Sequence, residues 1–315
     1  MGFLNVFTIG CGNMFRGIVY MAIVGWGWTI YGMVMGWAPK RKIDVPIMLF
    51  YSALAAIVVC LSLGLLTGLP KDVPTLPHCI TFASLFICGI LNFFQLFLMS
   101  KAMERGPNGI IWSLIQSAFV CPFVFGVVCF QARCVVWNVV GVLLIIGALV
   151  LYNIGKSNNA TGKWKLLTFI AMMVTGCTQI LCNLPSYFPE AEGVSSIWRT
   201  TYFSLGLGSG TIIETLVEQG KKLPSVIKDS IFSLDMWICI VILQATEILT
   251  STFLMYPGMN SLAVAGVGAI AYPITVASSI VSFDMYSLVL LREKRTPLQI
   301  LGMIMILAGI AGLCL

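Results

Sequence analysis

The sequence predicts an all-α polytopic membrane protein, with ten transmembrane helices arranged as two inverted five-helix repeats. Three observations carry that reading. Long charge-free apolar runs recur along the chain, basic residues gather in alternate loops, and the C-terminal hairpin repeats an earlier one. Hydrophobic residues make up 59% of the sequence and charged residues 10%, where a soluble domain carries about 25% charged residues. The mean hydropathy is +0.98. Gly17–Pro39, Val45–Pro70, Gly106–Gln131, Cys134–Gly155, Leu166–Pro189 and Thr296–Leu315 contain no charged side chain. At about 1.5 Å per residue each is long enough to cross roughly 30 Å of hydrocarbon. Backbone amides in lipid must bond internally, and these runs lack the alternation of a barrel strand, so the spans are helices.

Taken in order, the predicted spans are 17–38, 45–69, 77–100, 108–130, 135–155, 165–185, 197–217, 235–256, 261–291 and 296–315. The seventh is the least apolar, because Arg199 and Glu214 bracket it and Gly206, Gly208 and Gly210 dilute it. The eighth and ninth form one apolar stretch after Glu247. Tyr256–Pro257–Gly258 divides them in this reading, since proline and glycine break helices. Thr296 and Pro297 open the tenth as a helix start should.

Of the 18 lysines and arginines, all but Arg16, Lys71, Arg133 and Arg199 fall in the loops after spans one, three, five, seven and nine. That bias makes the odd loops cytoplasmic and leaves both termini outside. The net charge of +6 therefore reflects orientation and gives no ground for a nucleic-acid partner. Eleven cysteines are scattered without a CxxC pair, which reads as small buried hydrophobes and predicts neither a metal site nor a disulfide frame. The N-terminal MGFLNVFTIGCGNMF lacks an early basic region and cleavage site, so no removable signal peptide is expected, and Gly2 lacks the context for myristoylation.

Residues 125–152 (FGVVCFQARCVVWNVVGVLLIIGALVLY) align with 286–313 (YSLVLLREKRTPLQILGMIMILAGIAGL), pairing Gly141 with Gly302 and, upstream, Ser117 with Ser278. FLMSKAM at 97–103 similarly aligns with FLMYPGM at 253–259. Two units follow, 1–160 and 161–315. An odd number of spans per unit turns the second upside down relative to the first.

This arrangement resembles the drug/metabolite transporter superfamily, in its ten-helix EamA-like form. The superfamily closes on a helix, a short turn with glutamate, and a threonine-led helix with spaced glycines. Here LLREKRTPLQILGMIMILAG supplies Glu293, Thr296, Gly302 and Gly309, whereas the first unit has Ala132 and Val135 at the glutamate and threonine places. Within the superfamily, WAPKRKID and ICGILNFFQLFLMSKAMERG resemble the sugar-permease branch typified by rhamnose–proton symport. The resemblance implies a permease of the cytoplasmic (inner) membrane. It would move a small polar solute, for example a sugar, by alternating access, with no cofactor, no metal and no catalytic residue. Export of amino acids or drug-like metabolites stays open, as do a lipid-acting enzyme, a flippase, proton coupling, and monomer against homodimer.

Polar groups in hydrocarbon are costly and mark candidate sites. Glu247 lies mid-span, with Gln244 and Ser251 on the same stripe, and is the candidate proton carrier and substrate carboxylate. Asn92 and Gln95 share one face of span three, and the repeat puts Leu91 over Glu247 and Gln95 over Ser251. Trp112 with Gln116, and Gln179 with Asn183, are similar candidates. Trp26, Trp28 and Tyr31 could stack on a ring or sugar face. Gly32 and Gly36 form a small-xxx-small pair, and Trp37 reads as an interfacial anchor. Tyr272–Pro273 reads as a kink at the cavity. Asp284 is an inner gate or an interfacial residue, and Arg199 sits at the outer rim. The sequon at Asn159 lies in a loop read as cytoplasmic, and His78 reads as solvated.

The orientation is testable. A cysteine introduced by Glu190→Cys should react with a membrane-impermeant maleimide on intact cells, and one introduced by Lys222→Cys only after permeabilisation. The opposite pattern would refute the topology.

Overall fold

The computed structural model describes residues 2–68, 70, 73–130, 136–154, 163–219, 232–265 and 270–313. Every regular element among them is helical. The elements are α1 (Gly2–Trp37), α2 (Val45–Thr67), α3 (Thr75–Met103), α4 (Asn108–Gln116), α5 (Val120–Phe130), α6 (Val136–Ile154), α7 (Lys163–Asn183), α8 (Ser196–Gln219), α9 (Leu234–Glu247), α10 (Tyr256–Val264), α11 (Ala271–Val289) and α12 (Pro297–Leu313). A 3₁₀ turn (Ser117–Phe119) joins α4 to α5, and a π-helical segment (Ile248–Met255) joins α9 to α10. Six stretches are long and apolar enough to cross a membrane: Gly12–Arg41, Val45–Thr67, Thr75–Met103, Asn108–Phe130, Lys163–Asn183 and Leu234–Leu262. Large apolar side chains such as Val58, Leu66, Leu143 and Val241 stand exposed around the outside, a surface suited to lipid and not to water. The protein is an integral multi-pass membrane protein.

Sequence cues explain several helix starts. Asp44 caps α2 by accepting from the Ile47 amide at 3.1 Å, with Pro46 in the first turn. Ser233 caps α9 through the Met236 amide. Thr296 and Gln299 form a reciprocal capping box: Thr296 Oγ1 accepts from the Gln299 amide, and Gln299 Oε1 accepts from the Thr296 amide. With Pro297 at the first helical position, α12 begins where its sequence predicts.

Small residues set the close crossings. A Cβ at Gly89 would strike the Phe203 carbonyl on α8, and one at Gly206 would strike the Phe86 carbonyl on α3. The two glycines are thus reciprocal. Gly210 likewise packs on the Ile90 backbone of α3, whereas Gly208 faces only the Ala53 and Ile57 side chains of α2. Along α1 and α11, Gly25 abuts the Thr275 carbonyl, while Thr275 and Ser278 hydroxyls donate to the Met21 and Ala22 carbonyls at 3.1 and 2.7 Å. Gly309 and Gly312 of α12 bring that helix against the α6 backbone at Gly141 and Trp137.

Three expectations need correction. No helix ends at Tyr256–Pro257–Gly258: α10 continues through Pro257 to Val264. The preceding π segment explains the tolerance, since the Tyr256 amide bonds back to the Ser251 carbonyl and the local backbone is wider than an α-helix. Pro273 does not kink a helix, because it lies in the first turn of α11, where proline is accommodated. The first helix begins well before residue 17, at Gly2. Ala132, Val135, Asn159, Lys221 and Lys222 lie outside the described residues.

Gly89→Val and Gly206→Val should each destabilise the purified protein by about 1–3 kcal/mol, through overpacking. Gly12→Ala, with nothing near its added Cβ, should leave the thermal midpoint unchanged.

Candidate functional site

A cavity of about 120 Å³ opens among α1, α3, α4, α7 to α11 and the π segment. At about 10–15 Å³ per water measured this way, it holds on the order of ten waters, or one small metabolite. Helical spacing brings its lining together. From α1 come Trp28 and Tyr31; from α3, Cys88, Asn92 and Gln95; from α4, Trp112 and Gln116. From α7 come Thr175, Thr178, Gln179 and Cys182, all on one helix face. Leu96, Phe203, Glu247, Ser251, Met255, Tyr256 and Tyr272 complete the wall.

Glu247 ends α9, where the helix widens into the π segment. Its two carboxylate oxygens accept from the hydroxyls of Tyr31 and Ser251, the latter at 3.1 Å. Hydroxyl donors are what a carboxylate withdrawn from water requires. Gln95 Oε1 accepts from Thr178 Oγ1 at 3.3 Å. Gln116 and Gln179 are buried, and their side-chain carbonyl oxygens have no partner among the described residues. Trp28 and Tyr272 meet at 6.3 Å between ring centroids. No lysine or arginine lines the cavity among the described residues.

At one end the cavity is floored by Trp112 stacked on Phe283, with centroids 5.0 Å apart, and Gly32 fits against both rings. The Trp112 indole donates to the Ser279 carbonyl at 3.3 Å. Beyond this floor the Arg295 guanidinium pairs with Asp284 at 2.5 Å and donates to Ser287 Oγ at 2.8 Å. Asp284 is 3% exposed, so it is a buried ion-pair member and not an interfacial group. Glu293 caps α4 with both oxygens, accepting from the Asn108 and Gly109 amides at 2.7 and 3.1 Å. An anion there also complements the helix dipole. Gly109 abuts Arg295 and Ser287, leaving no room for a side chain.

Nine sequence-predicted residues thus meet in one cavity: Trp28, Tyr31, Asn92, Gln95, Trp112, Gln116, Gln179, Glu247 and Tyr272. Gln244 and Asn183 do not. Three residues back from Glu247 is about 60° around the helix, so Gln244 turns toward α2 and donates to Ser52 Oγ. Asn183, the last residue of α7, lies outside the cavity lining. Trp26 is 65% exposed and faces outward.

Arg199 is not at the rim. It is buried, donates to the Val194 and Ala191 carbonyls at 3.0 and 2.8 Å, and lies over Tyr256. His78 bonds the Tyr202 hydroxyl at 2.7 Å. Cys88, Leu96, Thr175, Thr178, Cys182, Phe203, Met255 and Tyr256 line the cavity without having been singled out by the sequence. The steps of three and four residues from Thr175 to Thr178 to Cys182, on the face that holds Gln179, carry that information.

Removing one partner of a buried ion pair strands the other. Arg295→Met should therefore destabilise the protein by about 3–5 kcal/mol, and adding Asp284→Leu should restore most of that loss, read by thermal unfolding in detergent.

A comparison with curated proteins gives no match. One solved crystal structure, titled only as that of a protein, aligns over 93% of this chain and 95% of its own, at 14% identity and a TM-score of 0.58; the likeness is one of fold. Residues 15–154, which include α2 to α6 and the cavity residues Trp28 to Gln116, match the model of the EamA-like transporter family.

Proposed function

We propose that this protein is a secondary transporter of the drug/metabolite class, carrying a small polar solute through the central cavity by alternating access. The carrying observation is Glu247. A carboxylate held in a largely apolar helix, hydrogen-bonded by Tyr31 and Ser251, forms part of the wall of a metabolite-sized cavity. The EamA-like match across the first half supports the class. Aromatic rings and amides in the wall suit a sugar or another polyhydroxylated solute, and the absence of a cation among the described lining residues disfavours a dianion. Glu247 is the proton-coupling group of this reading: protonation would release Tyr31 and Ser251 to the solute. An amino-acid or amine exporter is the second reading, since the same carboxylate would pair with an ammonium group.

Two inverted halves, 1–160 and 161–315, are part of the proposal. Helix contacts support them by mapping onto themselves when the halves exchange. Contact of α3 with α7 corresponds to contact of α9–α10 with α1, and contact of α4–α5 with α7 corresponds to contact of α11 with α1. The pairs α2–α8 and α6–α12 join each helix to its own counterpart. In this scheme the Trp112–Phe283 floor, the Asp284–Arg295 pair and the Glu293 cap form the cytoplasmic gate, and transport requires them to part.

A thermal-shift screen of sugars, amino acids and nucleosides identifies the solute, because a bound ligand raises the midpoint by mass action. With that solute in proteoliposomes, Glu247→Gln should lose accumulation driven by a pH gradient while retaining a ligand-dependent shift. Unchanged accumulation would remove Glu247 from the coupling role.

A further inference from the structure

The transport reading leaves two thiols in the cavity wall without a role. Cys88 on α3 and Cys182 on α7 both line the cavity, and both are free. Cys88 Sγ donates to the Thr178 carbonyl at 3.2 Å. Cys182 follows Thr178 by four residues on the same helix, so its own amide is directed at that oxygen and its side chain stands one turn above it. The carbonyl therefore seats the two thiols side by side.

Buried structural cysteines usually sit singly among apolar side chains. These two come from different halves of the chain, converge on one carbonyl and border a space that admits a ligand. Paired sulfur ligands favour soft acceptors. Once one sulfur is bound, the second reacts intramolecularly at high effective concentration, which distinguishes a dithiol from two separate thiols.

We propose that Cys88 and Cys182 form a cavity-facing dithiol site for soft, thiophilic electrophiles of the trivalent-arsenical class. With an organoarsenic(III) oxide, two S–H bonds and the As=O bond break and two As–S bonds form. Both protons leave with the oxygen as one water, and no atom changes oxidation state. The adduct bridges α3 to α7 and occupies the cavity beside Gln95 and Thr178.

The test needs no transport assay. Purified full-length protein is treated with phenylarsine oxide, alkylated with iodoacetamide in SDS, digested and mapped by mass spectrometry. Cys88 and Cys182 should lose alkylation together, and 2,3-dimercaptopropanol should restore it where the same concentration of 2-mercaptoethanol does not. Cys88→Ser should abolish protection of Cys182, and Cys182→Ser that of Cys88. A second candidate pair among the described residues is Cys121 and Cys177, since Cys121 Sγ lies against Gly176, the neighbour of Cys177. Protection confined to that pair, protection of neither thiol, or protection of Cys88 in the Cys182→Ser chain would overturn the assignment. The wild-type mapping stands alone should a serine variant fail to fold.

Discussion

In hydrocarbon no water is present to satisfy a peptide N–H or carbonyl, and the rest of this structure depends on that constraint. Each crossing segment must close its own hydrogen bonds, so every regular element among the described residues is helical. Between helices there is little hydrophobic gain, because lipid is as apolar as leucine. Association relies on close packing and on polar contacts. Gly89 against Gly206, and Gly25 against Thr275, bring backbones together where any side chain would hold them apart. Serine and threonine hydroxyls then donate to carbonyls on their own or neighbouring helices, as Thr275 and Ser278 do to α1.

The same constraint explains why polar side chains cluster. A carboxylate or amide facing lipid is expensive, and one facing another polar group is far less so. Glu247, Gln95 and Thr178 are held by hydroxyl or amide partners, and together they border the central cavity. The π segment after Glu247 belongs to this arrangement. It absorbs Pro257 without ending the helix, so Ser251, Met255 and Tyr256 continue the cavity wall that Glu247 begins. The charged groups Asp284, Glu293 and Arg295 are consumed at one end, in an ion pair and a helix cap. They are built into closure of the floor and do not face the cavity.

Glu293 illustrates how far a local pattern reaches. Its place in a turn before a threonine-led helix was visible in the chain, but its partners, the Asn108 and Gly109 amides, lie far away in sequence. Arg199 illustrates the opposite error. A cation near a helix start suggested the rim, yet carbonyls of the 189–194 segment fold over its guanidinium and bury it. Cys88 and Cys182 were indistinguishable from other cysteines, since only packing of α3 on α7 brings them to one carbonyl.

By itself the sequence determined the membrane-embedded, all-helical class, most helix positions, and nine residues that share the cavity. Composition, length and helical spacing are local quantities, and they suffice to say which side chains share a face. Only the tertiary structure decided that Gln244 turns to Ser52, that Asn183 stays outside the cavity lining, and that Pro257 lies within a continuing helix. Those outcomes depend on which neighbour each face meets. Contact between helices distant in the chain leaves no periodic trace in either one.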